Sequence, residues 1–240
     1  MNNSFAPAVS IIVPVLNESD IIENTVIHLT EACSGNAAEI IIVDGDPSGS
    51  TIRRVKSKQI LTITAPPGRA KQMNAGAEAA RGGVLLFVHA DTLLPRGALR
   101  DILDACRRPE IAAGAFSLGI DSGKRIFRVI ETLANIRCYL TRIPYGDQAI
   151  FFKKKVFMHL GGYAGIPIME DIEIMQRVKQ KKLKTALLKK KVKTSARRWQ
   201  KEGILWAIIR NNLLACSFYA GASPRTLKRF YSLHNPASKR

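Results

Sequence analysis

The chain has 240 residues, 46% of them hydrophobic, which suits one substantial core and a single domain with an appended segment. Its net charge of +18 is uneven: residues 1–120 carry 11 Lys+Arg against 12 Asp+Glu and the remainder 26 against 7, so the basic character belongs to the second half. Four scattered cysteines without a Cys-x-x-Cys pair argue against a zinc or disulfide site, and Met1 to Ala8 has neither the basic start nor the apolar run of a targeting signal, so a cytoplasmic protein is expected.

In chain order, residues 10–16 form an uninterrupted β-branched run that predicts a strand. Asn17-Glu18-Ser19-Asp20 then offers turn and N-cap chemistry before Ile21, Ile22, Val26 and Leu29, which are spaced as one helix face. The unit repeats. Residues 39–43 lead through Asp44-Gly45-Asp46-Pro47 into a short helix near 51–56, and 60–64 leads through Pro66-Pro67-Gly68 into an alanine-rich helix at 69–81. A fourth strand at 84–88 and a helix at 95–106 complete a nucleotide-binding type of half, about 9–120. Such alternation implies an α/β fold with a mostly parallel central sheet flanked by helices.

Beyond 118 the pattern loosens, with helices expected near 125–140 and 171–180, strands near 148–152 and 185–188, and an acceptor half ending near 200. The basic C-terminal extension, 201–240, holds the apolar stretch 203–220, interrupted by Arg210, Asn211 and Asn212. A bilayer span needs ~20 predominantly apolar residues, so this stretch is expected on the body, in a homodimer contact or on a membrane surface.

Ligands of open α/β sheets gather at the carboxyl ends of the strands. Asp44 ends one apolar run and is a candidate to accept from the imide N–H of a base, with a plain Asp-Gly turn as the alternative. Glu18, with Pro14 and Asn17 of the same loop, is a candidate for the nucleotide's ribose, against a helix-cap role. Asp91 follows an apolar strand, where a buried charge needs a cation, so it is the candidate ligand for Mn²⁺ or Mg²⁺ on a diphosphate, assisted by His89 and adjoining Ala90. Arg69 and Lys71 are candidates for the diphosphate or the base, or else a solvated helix start.

Glu170 and Asp171 open a predicted helix, where the macrodipole favours ionised acids, and either is a candidate general base, with helix capping as the alternative. Gly146-Asp147-Gln148 offers hydrogen-bonding groups for a sugar or acceptor hydroxyl, although turn formation explains the glycine equally well. Arg197, Arg198 and Trp199 combine cations with an aromatic face that suits a diphosphate clamp or a surface cluster.

Taken in order, Ser10 to Glu18, Ile41-Ile-Val-Asp44-Gly45, Gly68-Arg69 with Asn74-Ala-Gly76, Ala80-Arg81-Gly82, His89-Ala-Asp91 and Glu170-Asp171 resemble the family 2 glycosyltransferases of GT-A fold, over about residues 9–200. That resemblance implies an inverting, cation-assisted transfer from a nucleotide-diphospho-sugar to an acceptor hydroxyl, with Asp44 on the base, Asp91 on the metal and Asp171 as catalytic base. The chain departs from the family's usual Asp-x-Asp at His89-Ala90-Asp91, which puts metal dependence in question. Ser195 to Trp199 matches the Gln-x-x-Arg-Trp of processive members only loosely, which favours single addition. The set also resembles a small bacterial subgroup associated with radical-SAM and selenium-domain proteins.

Two other classes stay open at this level. A nucleotidylyltransferase would share the sheet but is similar to its relatives through a glycine-rich loop that Pro14 to Glu18 replaces here. The basic half also suits an anionic membrane surface, making the protein peripheral, whereas no dedicated motif supports nucleic acid as a partner.

Overall fold

The computed structural model describes residues 6–35 and 37–233, without the side chains at 198, 232 and 233. The first half alternates β1 (Val9–Val15), α1 (Ile22–Cys33), β2 (Ala38–Asp44), a 3₁₀ turn at Ile52–Arg54, β3 (Leu61–Thr64), α2 (Arg69–Ala79), β4 (Val84–Phe87), a two-residue β5 (Thr92–Leu93) and α3 (Ala98–Cys106). Strands β3, β2, β1 and β4 pair in parallel. β1 and β4 are buried at every residue because they have strand neighbours on both sides and packed layers over both faces, which is why they read as continuous apolar runs.

The second half comprises β6 (Ile111–Asp121), α4 (Arg125–Thr141), a 3₁₀ turn at Gly146–Gln148, β7 (Phe151–Lys153), α5 (Lys154–His159), α6 (Glu170–Gln180), β8 (Lys184–Ser195), α7 (Arg197–Glu202), α8 (Ile204–Tyr219) and α9 (Pro224–Leu233). The sheet order is β3-β2-β1-β4-β7-β6-β8-β5. β7 is antiparallel to both neighbours and β5 is antiparallel to β8, while β6 and β8 are parallel. Parallel pairings therefore predominate, as expected, and the antiparallel ones lie where second-half strands join.

The connection from β4 to β5 makes the sheet curl. Thr92 N–H donates to the His89 carbonyl at 3.0 Å, so this link turns back on itself. With that turn, β5 starts within roughly 14 Å of the end of β4. Four flat strand spacings would put it ~19 Å away. Curling brings the end of β8, paired with β5, around to face residues 89–91: Ser195 N–H donates to the Asp91 carbonyl at 3.2 Å.

Alternate residues of β1 serve two cores. Ile11, Val13 and Val15 pack with Ile22 and Leu29 of α1 and Leu99 and Ile102 of α3. Ile12, on the other face, packs with Met73 and Ala77 of α2, Ile172 and Met175 of α6, and Ala215 of α8. The 203–220 stretch thus contributes a side chain to the body's core. Among the described residues no helix is long and apolar enough to cross a membrane.

Three sequence expectations change. α1 starts one turn after Glu18, with Ile21 at its cap position and no side-chain cap, because the Glu18 carbonyl takes the N–H groups of Ile21 and Ile22. The helix near 51–56 shrinks to one 3₁₀ turn. The strand expected at 185–188 runs instead over twelve residues, with a register shift where Phe116 pairs Leu188 and Ser117 pairs Lys191. Within its Lys189-Lys190-Lys191 run, Lys190 Nζ reaches Asp101 and Lys191 Nζ reaches buried Glu131, both at 2.8 Å.

Candidate active site

A cavity of about 940 Å³ opens at the carboxyl ends of β1 and β4, the place an open α/β sheet reserves for ligands. The strand-end segments Pro14–Glu18 and 89–91 form one side, the start of α2 another, and residues 145–147 with 165–172 a third. α8 and α9 complete the wall through Asn211, Leu214, Arg225, Lys228 and Tyr231, so the C-terminal segment builds part of the site.

Asp171 lies in the first turn of α6. Its Oδ2 accepts from Gly146 N–H at 2.6 Å and its Oδ1 from Ile172 N–H at 2.8 Å, which fixes the carboxylate's orientation. A Cβ at Gly146 would lie 3.3 Å from Asp171 Oδ2 and 3.3 Å from His89 Nε2, so these three residues crowd one point of the cavity. Met169 (φ 68) and Ala149 (φ 48) flank the two turns in left-handed backbone conformations. Such conformations cost non-glycine residues of the order of 1 kcal/mol or more and persist where the surroundings fix them.

Glu170 occupies a different environment from its neighbour. Its side chain is 3% exposed and pairs with Arg69 Nε at 3.1 Å. Burial pushes its carboxyl above the usual range and the Arg69 guanidinium opposes that shift. Arg69, expected to be either ligand-facing or solvated, lines the cavity with its side chain 46% exposed, at the first turn of α2 beside the Gly68 and Lys71 wall. Tyr231 and Lys228 of α9 lie near this pair and contribute to its electrostatics.

Across the cavity, Arg197 donates to Glu18 Oε2 at 3.2 Å. Burial pushes the Glu18 carboxyl up, Arg197 counteracts it, and the negative charge of Asp91 adds to the rise. Glu18 and Asp91 line the same cavity. Trp199, which also lines the cavity, packs edge-on to Phe127, with ring centroids 6.4 Å apart.

The structure brings Pro14, Glu18, Arg69, Lys71, His89, Ala90, Asp91, Gly146, Asp147, Asp171, Arg197 and Trp199 to this one cavity. Four candidates sit differently. Asp44 is fully buried, and its oxygens accept from the N–H groups of Asp46, Thr51 and Ile52 at 2.9–3.2 Å, so the turn role weighed against base recognition is the one observed. Asn17 is an exposed left-handed turn residue (φ 57). Gln148 is 1% exposed; its Oε1 accepts from Tyr145 N–H and its Nε2 donates to the Phe116 carbonyl, which removes it from ligand contact. Glu170 faces Arg69, an arrangement ill suited to a general base. The Arg198 side chain lies outside the described residues.

Sequence reasoning missed several wall residues. Gln72 is a buried amide whose Nε2 donates to the carbonyls of Val15 and Val43 at 2.7 and 2.9 Å, clamping β1 to β2 where the two strands part; a lone glutamine on the inner face of an alanine-rich helix was its only signal. Tyr145 lines the cavity beneath the Arg137 guanidinium, 3.4 Å from the ring centroid. Arg225, Lys228 and Tyr231 carry no motif.

For a cation, the donor set is sparse: among the described residues no group of three His, Cys, Asp or Glu side chains is placed to hold a metal. Hard divalent ions on nucleotide substrates often take one or two carboxylates and complete their shell with phosphate oxygens and water. Asp91, with Glu18 close by, fits that sparser mode.

A sequence model described as Glycosyl transferase family 2 matches residues 10–169 of this chain, two thirds of its length. No curated protein matches the chain.

Proposed function

The chain belongs to glycosyl transferase family 2, and from that premise we propose that it moves a sugar from a nucleotide-diphospho-sugar to an acceptor hydroxyl in a single inverting displacement. Its mixed α/β structure, a curled sheet flanked by helices, is a GT-A type of fold, and it is a glycosyltransferase. The observation that carries the finer reading is the Asp171 carboxylate, fixed by Gly146 N–H beside His89 within the cavity.

In this reading Asp171 Oδ2 takes the proton of the acceptor hydroxyl, the acceptor oxygen forms its bond to the anomeric carbon, and the bond to the departing diphosphate breaks with its electron pair leaving on the phosphate oxygen. Attack and departure on opposite faces invert the anomeric centre. The N–H groups at the start of α2, with Arg69 and Lys71, suit the diphosphate, since a helix N-terminus favours anions. Glu170 then holds Arg69 in place. Mn²⁺ or Mg²⁺ held by Asp91 would neutralise charge on the leaving diphosphate. The transferase unit expected over residues 1–200 draws part of its cavity wall from α8 and α9 of the C-terminal segment. Single addition is the reading supported by Ser195 to Trp199, which match the Gln-x-x-Arg-Trp of processive members only loosely.

A thermal-shift panel of UDP, GDP, CDP and TDP, each with and without Mn²⁺, tests this directly. Stabilisation by one diphosphate that Mn²⁺ enhances is expected, and stabilisation grows with ligand concentration above its Kd. No stabilisation by any of the four would reject the donor class.

A further inference from the structure

Helix α4 buries Phe127, Glu131 and Cys138 on one side. On the other, Ile126, Val129, Leu133, Ile136 and Leu140 recur at alternating three- and four-residue steps and are 44–72% exposed. Helix α8 repeats the feature: Leu205, Ile209 and Leu213 lie four residues apart and are 72%, 44% and 52% exposed, with Trp206 beside them at 38%. The two helices meet near their starts, where Phe127 and Ile130 of α4 share one small core with Trp199 and with Ile204 of α8. Each helix thus offers an exposed apolar plate, and patches of this kind on a protein surface mark interaction sites.

Charge decides the occupant. Glu131, the one acid of α4, is fully buried with Lys191 and Arg128 on it, and α8 has no acid. Lys124, Arg125 and Arg128 stand exposed where α4 begins. A second copy would bring two chains of +18 together at this face, which self-repulsion opposes. An anionic bilayer attracts that rim and accepts the apolar stripe, while Trp206 and Tyr139 suit the headgroup level.

We propose that the outward faces of α4 and α8 form a docking surface for an anionic lipid bilayer, with the apolar side chains at the acyl boundary and the Lys124 and Arg125 cations on the headgroups. This moves lipid contact away from the lysine run of β8, where Lys190 and Lys191 are already paired with acids. Docking is independent of glycosyl transfer, although the same α8 walls the cavity through Asn211 and Leu214.

The full chain should co-sediment at low salt with vesicles of phosphatidylcholine and phosphatidylglycerol, and less with phosphatidylcholine alone. Leu133→Ser with Leu213→Ser should weaken that binding, by about tenfold for each side chain, with the thermal midpoint kept because both residues are exposed. Tryptophan emission should shift to the blue with anionic vesicles, and Trp206→Phe should remove the shift. Absence of vesicle binding, equal binding by the double variant, or a solution dimer that the double variant dissociates would each overturn the docking surface, the last assigning the plates to a second copy.

Discussion

Asp171 Oδ2 accepts a hydrogen bond from the backbone N–H of Gly146 at 2.6 Å, tying the first turn of α6 to the 3₁₀ turn that precedes β7. Two segments distant in sequence thus fix one carboxylate, and His89, from the end of β4, lies against the same glycine. The contact orients the proposed base through main chain, where rotamer freedom cannot blur it.

Gly146→Ala tests that geometry. The new methyl group would meet both Asp171 Oδ2 and His89 Nε2 at 3.3 Å, so the neighbours must give way by a few tenths of an ångström. Turnover should fall by about 10²-fold, the scale of a small misplacement at the reacting centre. Nucleotide affinity measured by calorimetry should hardly change; full turnover would show that the contact has no catalytic role.

Asp171→Asn removes the proton acceptor while keeping size and shape. A loss of about 10²–10⁴-fold in kcat is expected with nucleotide diphosphate binding retained. Transfer assays and calorimetry on the same preparation separate the two, and near-normal kcat would exclude Asp171 as base.

Glu170 carries a pH dependence of defined sign. Burial holds its folded-state pKa above the unfolded value of 4.5, even with Arg69 beside it. A carboxyl shifted upward adds stability that is fully present below the unfolded value and is lost as pH rises through the folded one. The thermal midpoint of the native chain, compared with Glu170→Gln, should therefore gain as pH falls from neutral into the carboxylate range. The opposite trend would mean that Arg69 outweighs burial.

Arg210 and Glu202 form a buried pair at 2.6 Å, with side chains 0% and 3% exposed, and the Arg210 guanidinium also covers the Tyr231 ring of α9 at 4.5 Å. Arg210→Met should destabilise by about 3–5 kcal/mol, because it leaves Glu202 charged and unpaired. Adding Glu202→Gln should recover part of that loss in urea unfolding, and no recovery would locate the effect in the α9 contact.

Lys182, exposed just after α6, has φ 55. Lys182→Gly removes the side-chain penalty of that left-handed position and should raise stability by about 1 kcal/mol in denaturant unfolding. A destabilised variant would contradict the assigned backbone.

What the sequence by itself determined follows from local rules. The apolar runs at β1, β2 and β4 are legible because a strand covered on both faces excludes polar side chains, and the acids after two of them are legible because charge rarely interrupts such runs without purpose. Those rules placed Asp91 among the candidates and implied the α/β class, while Asp171 stood out as an acid at a predicted helix start and through the family resemblance. They also left Asp44 ambiguous, since a carboxylate that organises a turn and one that meets a ligand share the same Asp-Gly text. Tertiary structure alone decided between those roles by giving the Asp44 oxygens to three backbone N–H groups. It also separated Glu170 from Asp171 through Arg69, brought Gly146 to Asp171, and folded α9 over the cavity. None of these has a local signal, because partners 25 to more than 100 residues apart meet through packing and long-range pairing, which no short stretch of sequence encodes.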